Sequence, residues 1–552
     1  MGGSTPYSRL NPYLWNNEPE ERGSSYIPSL EDLSGLRQVM NKEQFTQPES
    51  GADSVPGRGD VQSLRADSSA GAEEAPPGGE YMMPGQGSGS TQPRRKSVAA
   101  RIFAPHRITF LVFIVSGLIM LANTFRHPEV FMYDEWAHQR AVQQFQEKFF
   151  ALPETIRYHH MQYNPALYYY LMGKLNYLVE AFADVRISWH YMPRIASLAS
   201  ILFIAYLYAF SLVPRMVKNK SAVQWFTFAF LLFPNVYLCQ VMVRPDHLLF
   251  FSLHLLFYLW FRFDFHDKLA RSGWRMVAWS ILLMVMAHSR HFAIVGFAVF
   301  FAMGIFLLGR HVFISRSFRD GIFVLAVIAA TIVVSSSHYA SRYIGSGRLM
   351  GTSSMEIEEG APAEKEETDK QPFDRGELFF NFQFDELYRR PNRMADFRGE
   401  RGGNSFFPRL YGDLWADHWL HFSGAKLKET KVFEKRRVLL YGSVFTILWV
   451  IFPLLSTAGS CVALLRRKQI KAQHVAGWLS VGGVAILAAL LYVHPYVGKQ
   501  STVKGAYIYA YYLFPFFPML RLFDRFPKLG FLLHVYTIAL YLLCVPLDLY
   551  RW

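Results

Sequence analysis

Two adjacent acids are the first residues in this sequence whose types and spacing suit chemistry. They stand in Phe131-Met132-Tyr133-Asp134-Glu135-Trp136-Ala137-His138, just after the first long apolar run. A carboxylate beside an apolar surface has its charged form destabilised, so it holds a proton or a cation more readily. That suits Asp134 and Glu135 to general-base work or to a metal site. The plainer alternative is a pair of exposed acids opening an amphipathic helix, with Asp134 near its N-cap. The same stretch continues through Tyr158-His159-His160-Met161-Gln162-Tyr163-Asn164-Pro165-Ala166-Leu167-Tyr168. His159, His160, Tyr163 and Asn164 are candidate pocket residues there, although paired histidines on a solvated loop are often ordinary polar surface. Pro165 is placed to start a short helix at a membrane surface, with the following tyrosines in the interfacial aromatic zone.

Three later turns carry further candidates. Val243-Arg244-Pro245-Asp246-His247 sets an Arg and an Asp at the rim of one span, where an Arg–Asp pair capping the helix is the structural alternative. The next turn holds His288, Ser289, Arg290 and His291. The last holds His494, Pro495, Tyr496, Lys499, Gln500 and Lys504, followed by Tyr507 and Tyr509. Singly these are weak signals. Together they place acids, imidazoles and isolated cations on one face, and charged groups at membrane depth tend to mark function. Cations there suit a phosphate, and a carboxylate suits activation of an acceptor hydroxyl or amine. Asp134, Glu135 and Asp246 are the candidates for a divalent metal ion; no cofactor is otherwise implied.

The elements that must position these residues are membrane helices. Of 552 residues, 51% are hydrophobic and only 18% charged, which excludes a soluble enzyme, a disordered regulator and a disulfide scaffold. Cys239, Cys461 and Cys544 all lie in apolar runs and imply neither bridges nor a metal cluster. A span needs about 20 mostly apolar residues, and eleven such runs are predicted, at 108–126, 192–213, 221–240, 247–262, 275–289, 292–309, 320–338, 438–465, 473–493, 505–520 and 529–548. The expected fold is therefore an all-α polytopic membrane protein of about 11 transmembrane helices, with two larger outward-facing loops.

Orientation follows from the basic residues. With the N-terminus inside, the inner loops receive sets such as Arg215, Lys218 and Lys220, or Arg466, Arg467, Lys468 and Lys471. The short outer loops hold only Arg244, Arg290, Lys499 and Lys504. This distribution obeys the positive-inside rule, and it explains the net charge of +14 without a nucleic-acid partner. The expected organisation is a disordered cytosolic tail at 1–104, transmembrane helices 1–7 over 105–338 with an outer catalytic loop at 127–191, a large outer loop at 339–437, and helices 8–11 over 438–552. The tail is polar and Pro/Gly/Ser-rich, and no cleavable leader is expected in it.

These residues resemble the GT-C superfamily of integral-membrane glycosyltransferases, and within it the protein mannosyltransferase and lipid A aminoarabinose transferase group. Four segments carry the resemblance: Tyr133-Asp134-Glu135 after the first span, Tyr163-Asn164-Pro165-Ala166-Leu167-Tyr168, the Arg244-Pro245-Asp246 turn, and Lys504-Gly505-Ala506-Tyr507 running on to Pro515. Tyr411-Gly412-Asp413-Leu414-Trp415 is also similar to a segment of bacterial members. The resemblance implies inverting sugar transfer on the non-cytosolic face, from a polyprenyl- or dolichyl-phosphate-linked donor to a glycan, lipid or protein acceptor. Asp134 would be the base, assisted by Glu135 and Asp246. Arg244, Lys499, Lys504 and Tyr507 would contact the donor phosphate, and His159, His160, Tyr163, Asn164, His247 and His494 would line the pocket.

A transporter or lipid flippase is the competing expectation, and a membrane scaffold built around the tail a third. The first predicts ionisable residues in mid-span and symmetry between halves, and the sequence shows no convincing internal repeat. The membrane is expected to be a bacterial cell membrane, with the endoplasmic reticulum as alternative. The one Asn-x-Ser/Thr sequon, Asn219-Lys220-Ser221, falls on the predicted cytosolic side.

Overall fold

The computed structural model describes residues 105–126, 135–146, 165–183, 190–315, 317–346, 375–380, 406–415, 432–466, 468–493 and 505–547, with positions 382 and 384. The tail at 1–104 therefore lies outside the described residues. So do most of the two large loops. Every regular element among the described residues is helical. Seven of these helices are long and apolar enough to cross a membrane, and nine are counted if two bent pairs each make one span. The chain is a multi-pass membrane protein.

The first helix, α1 (Pro105–Arg126), is apolar on every side, and Phe110, Leu111 and Leu118 remain exposed. Apolar surface on this scale belongs against lipid. Two short helices follow, α2 (Glu135–Gln146) and α3 (Leu167–Ala183), and they pack as a hairpin. Their contact is close because Gly173 faces α2: a Cβ there would stand 2.7 Å from the Val142 carbonyl oxygen. Lys174 Nζ donates to the Phe145 carbonyl at 2.5 Å, and Tyr169 Oη lies 2.7 Å from His138 Nδ1.

The central bundle begins with α4 (Tyr191–Leu207), which runs through one wider π-turn at 208–212 before ending near Met216. The predicted span 221–240 is two helices, α5 (Lys220–Leu231) and α6 (Pro234–Val241), bent by 43°. Pro234 explains the break, since it has no N–H to continue the ladder of α5. Next come α7 (Asp246–Arg262), α8 (Gly273–Ala287), α9 (Ile294–Ser315) and α10 (Phe318–Ser346). A short α11 (Phe406–Leu414) precedes the long α12 (Val432–Leu465) and α13 (Ala472–Val493).

The predicted span 505–520 folds differently. It is a 3₁₀ helix, Gly505–Tyr511, then a turn and a single helical turn, α14 (Phe516–Met519). Residues Ile508 to Phe514 and Phe516 to Leu520 are almost wholly buried, so this stretch threads the protein interior with no lipid-facing side. Its apolar length reads as a span, but Pro515 and Pro518 prevent a continuous helix. The last helix is α15 (Pro527–Cys544).

Aromatic packing ties the interior segment to α7. His254, fully buried on α7, stacks on Phe514 at 4.4 Å and 3°. Its Nε2 donates to the Ala510 carbonyl at 2.9 Å, while Nδ1 lies 2.8 Å from Tyr208 Oη. Tyr208 Oη also donates to the His254 carbonyl at 3.0 Å. One imidazole thus joins α7, the π-turn and the 3₁₀ helix, which fixes where Tyr507 must lie.

Candidate functional site

The site is built where the bent α6 ends. Its last turn gives way to extended backbone at Met242, and α7 starts two residues after Arg244, with Asp246 in its first turn. An acid at that position is favoured by the unpaired amides and dipole of the helix start. Here Asp246 also meets two arginines. Arg244 Nε lies 3.2 Å from Asp246 Oδ2, and Arg290 Nε lies 3.4 Å from Oδ1. Arg290 comes from the α8–α9 turn, where its extended backbone (φ −158°, ψ 151°) points the chain across to α7.

Tyr507 completes the cluster. Its ring centroid is 5.4 Å from the Arg244 guanidinium carbon and 5.2 Å from that of Arg290. Phe292 stacks on the same ring at 5.1 Å and 19°. The tyrosine ring thus holds two like charges near one another through cation–π attraction. Tyr511 fixes the turn as well: its hydroxyl donates to the Phe292 carbonyl at 2.6 Å and accepts from the Gly296 amide at 3.3 Å.

Two cations and an acid are packed here with little access to water. Asp246 is 3% exposed, and Arg244 and Arg290 are each 7% exposed. Buried charge of this kind is costly unless compensated, and two guanidinium groups side by side suit an anion. Arg194, completely buried on α4, reaches the end of α6: its Nε donates to the Val241 carbonyl at 2.7 Å, and its own carbonyl accepts from Gln240 at 3.2 Å. Just before α4, His190 is buried, and burial together with the Arg194 charge lowers its pKa to about 4.

Arg244, Asp246 and Tyr507 come together as one cluster. His247 is buried with both ring nitrogens engaged, Nδ1 at 2.8 Å from Ser197 Oγ and Nε2 at 2.8 Å from the Met242 carbonyl. It therefore clamps α4 to the turn and does not face a ligand through a ring nitrogen. Glu135 opens α2, whose side chains Ala141, Val142 and Phe145 form one buried cluster with Tyr168, Tyr169 and Val243. That docks the α2–α3 hairpin on the residue preceding Arg244. Asp134, His159, His160, Tyr163, Asn164, His494, Lys499 and Lys504 lie outside the described residues.

Two functional candidates escaped the sequence reading. Arg290 was expected on the same face, without a role, because nothing local pairs it with Asp246, 44 positions earlier in the chain. Arg194 carried a usable signal, a lone cation near the start of an otherwise apolar run. Among the described residues, no group of three His, Cys, Asp or Glu side chains is arranged to hold a metal ion. The metal candidate whose side chain is described, Asp246, sits against two guanidinium groups that would repel a divalent cation. The metal expectation thus does not fit Asp246.

Comparison with family models, curated proteins and solved structures finds no match.

Proposed function

We propose that this chain is a membrane glycosyltransferase that takes a sugar from a polyprenyl- or dolichyl-phosphate donor and transfers it, with inversion, on the non-cytosolic face. The observation that carries this reading is the pair of buried arginines meeting one carboxylate beside the Tyr507 ring. A phosphate is the anion whose geometry and charge such guanidinium groups meet best. The membrane setting supports a lipid-linked phosphate over a soluble one. The resemblance of the Asp134-Glu135 and Arg244-Pro245-Asp246 segments to GT-C enzymes supports the reaction type.

In this mechanism Asp134 accepts the proton of the acceptor hydroxyl or amine. The acceptor attacks the anomeric carbon as the bond from that carbon to the phosphate oxygen breaks, and polyprenyl phosphate leaves with the electron pair. Arg244 and Arg290 hold the charge that grows on the leaving phosphate, with Lys499 and Lys504 as further partners. Preorganised cations in a water-poor site contribute most where charge develops. Asp246 positions both arginines, and Glu135 assists Asp134. The facing compartment is the bacterial periplasm or, alternatively, the endoplasmic reticulum lumen.

The test is acceptor-dependent release of polyprenyl phosphate by the purified protein in lipid nanodiscs, using polyprenyl-phosphate-linked hexoses and glycoconjugates from the source cells as acceptors. Release with wild-type protein and none with Asp134→Asn supports the reading. Release that persists in Asp134→Asn removes that residue from the role.

A further inference from the structure

At the start of α13 an imidazole is caught between two hydrogen-bond donors. His474 lies in the first turn of that helix and is 6% exposed. The Lys471 carbonyl accepts the first bonds of the helix, from the His474 and Val475 amides, so residue 471 is the cap and 474 the third helical position. His474 Nδ1 reaches back to 3.3 Å from the Lys471 amide, which can only donate. The imidazole thereby plays the part of the Glu or Gln in a capping box. Nδ1 is then the unprotonated nitrogen, and the proton of the neutral ring sits on Nε2. Yet Nε2 is 3.2 Å from Arg521 Nη2, and a guanidinium has no acceptor to offer. The opposite tautomer satisfies Arg521 and strands the Lys471 amide, and the protonated ring strands both. All three groups are satisfied when an outside acceptor takes a hydrogen bond from both Nε2 and the guanidinium.

Neighbouring side chains leave that place open. Asp524, the acid of the short helix Arg521–Arg525, is engaged elsewhere: its Oδ1 accepts from the amides of Lys218 and Asn219 at 3.1 and 3.2 Å. Asn219 in turn donates from Nδ2 to the Phe523 carbonyl at 3.1 Å, and its Oδ1 accepts from the Ser221 amide at 2.9 Å to cap α5. These contacts bring together the turns at 217–220, 471–474 and 521–525, whose basic residues mark the side read as cytosolic. Among the described residues no ion pair involves Lys471, Arg521 or Arg525. Arg521 is exposed, so the imidazole and guanidinium are open to a ligand from outside. Arg525 lies over the ring of Phe526 at 5.7 Å, and Phe526 itself remains exposed, as does Leu465 at the end of α12. Exposed apolar side chains beside cations are the composition of a membrane boundary, where lipid headgroups lie.

We propose that His474 and Arg521 bind a phosphate group, supplied by the headgroup of an anionic phospholipid in the leaflet on this side. A phosphate oxygen accepts from the imidazole N–H and the guanidinium together, and its charge answers a cation that has no acid. Basic groups at this depth are attracted to anionic lipid in any case, and the two donors add a defined seat. The site is separate from the Arg244–Arg290 cluster and stands whether or not the chain is a glycosyltransferase.

Native mass spectrometry of the full-length protein in detergent tests this, with phosphatidylglycerol, phosphatidylcholine and inorganic phosphate as probes. Phosphatidylglycerol should bind about tenfold or more tighter than phosphatidylcholine, the worth of a charged hydrogen bond, because the choline ammonium cancels the charge that the two donors seek. Arg521→Gln should erase most of that preference. His474→Glu should erase it too and should raise the melting temperature in detergent alone, since a carboxylate keeps the cap on Lys471 and itself gives Arg521 an acceptor. If His474→Glu does not fold, Arg521→Gln, a change at an exposed position, decides alone. Equal binding of the two lipids by wild type, or a preference that survives Arg521→Gln, would overturn the lipid site. Inorganic phosphate that raises the melting temperature of wild type but not of Arg521→Gln, with no preference between the lipids, would overturn the lipid source in favour of a soluble phosphate.

Discussion

Replacing Asp246 with Asn removes a carboxylate that meets two buried guanidinium groups, at 3.2 and 3.4 Å. The side chain keeps its size, so packing is preserved and the effect is electrostatic. A pair of unit charges about 4 Å apart is worth about 4 kcal/mol at an effective dielectric near 20. Breaking a buried pair by deleting one partner costs about 3–5 kcal/mol, because a charge is stranded. Tyr507 offsets part of this through cation–π contacts of about 0.5–2 kcal/mol each, so a net loss of about 3 kcal/mol is expected. Thermal unfolding in nanodiscs, with and without polyprenyl phosphate, reads the outcome. Asp246→Asn should melt well below wild type, and the lipid phosphate should restore it by more than it raises wild type, since the phosphate replaces the missing negative charge. At a lipid concentration about 100 times Kd, binding adds about 2.7 kcal/mol. An Asn variant that melts with wild type, or equal lipid-induced shifts in both proteins, would refute the claim of a cationic site held in place by Asp246.

Other perturbations test neighbouring parts of the account. Arg290→Gln should lower kcat/KM for the lipid donor by about 10- to 150-fold, the worth of a charged hydrogen bond, with little loss of stability; unchanged donor kinetics would assign the phosphate elsewhere. Gly483→Leu should weaken donor use from a distance, because a Cβ there meets the Tyr511 ring at 2.6 Å, and overpacking costs about 1–3 kcal/mol; unaltered melting would mean that Tyr511 does not pin the 290 turn. His190 is neutral in the folded protein, with its pKa lowered to about 4 by burial and then by Arg194. The unfolded chain takes up the proton first, near pH 6.5, so stability is full above that pH and falls as pH drops toward 4. His190→Gln should flatten this acid limb in a melting-temperature series, and an unchanged limb would assign it to other groups.

Much of the fold was legible because a bilayer-spanning helix has a simple signature, length and apolarity. The runs at 108–126, 320–338 and 473–493 each fall inside an observed helix. The same signature misled at 505–520, since a segment enclosed on all sides by protein is as apolar as one facing lipid. Only Pro515 and Pro518 distinguished them. The bend at Pro234 was likewise written in the sequence, but the direction of α6 depends on what α4 and α1 offer, including the Gln240 amide that donates to Thr124 Oγ1 at 3.0 Å. At the site, Arg244 and Asp246 were visible as near neighbours in one turn. Arg290 was not, because its pairing exists only once α7, α8 and α9 have packed. His247 is expected from the resemblance to line the pocket; its ring nitrogens are engaged by Ser197 and the Met242 carbonyl, contacts that exist only once α4 and the 242–246 turn have packed together.

Arg244 and Arg290 are proposed to form a site for a phosphate carried on an isoprenoid lipid. Competitive binding of polyprenyl phosphate against the uncharged polyprenol, measured on purified wild-type protein and on the Arg244→Gln/Arg290→Gln double variant, tests it most directly. Wild type should strongly prefer the phosphate, and the double variant should lose that preference. Equal binding of the two lipids to wild type, or a preference that survives both substitutions, would contradict it.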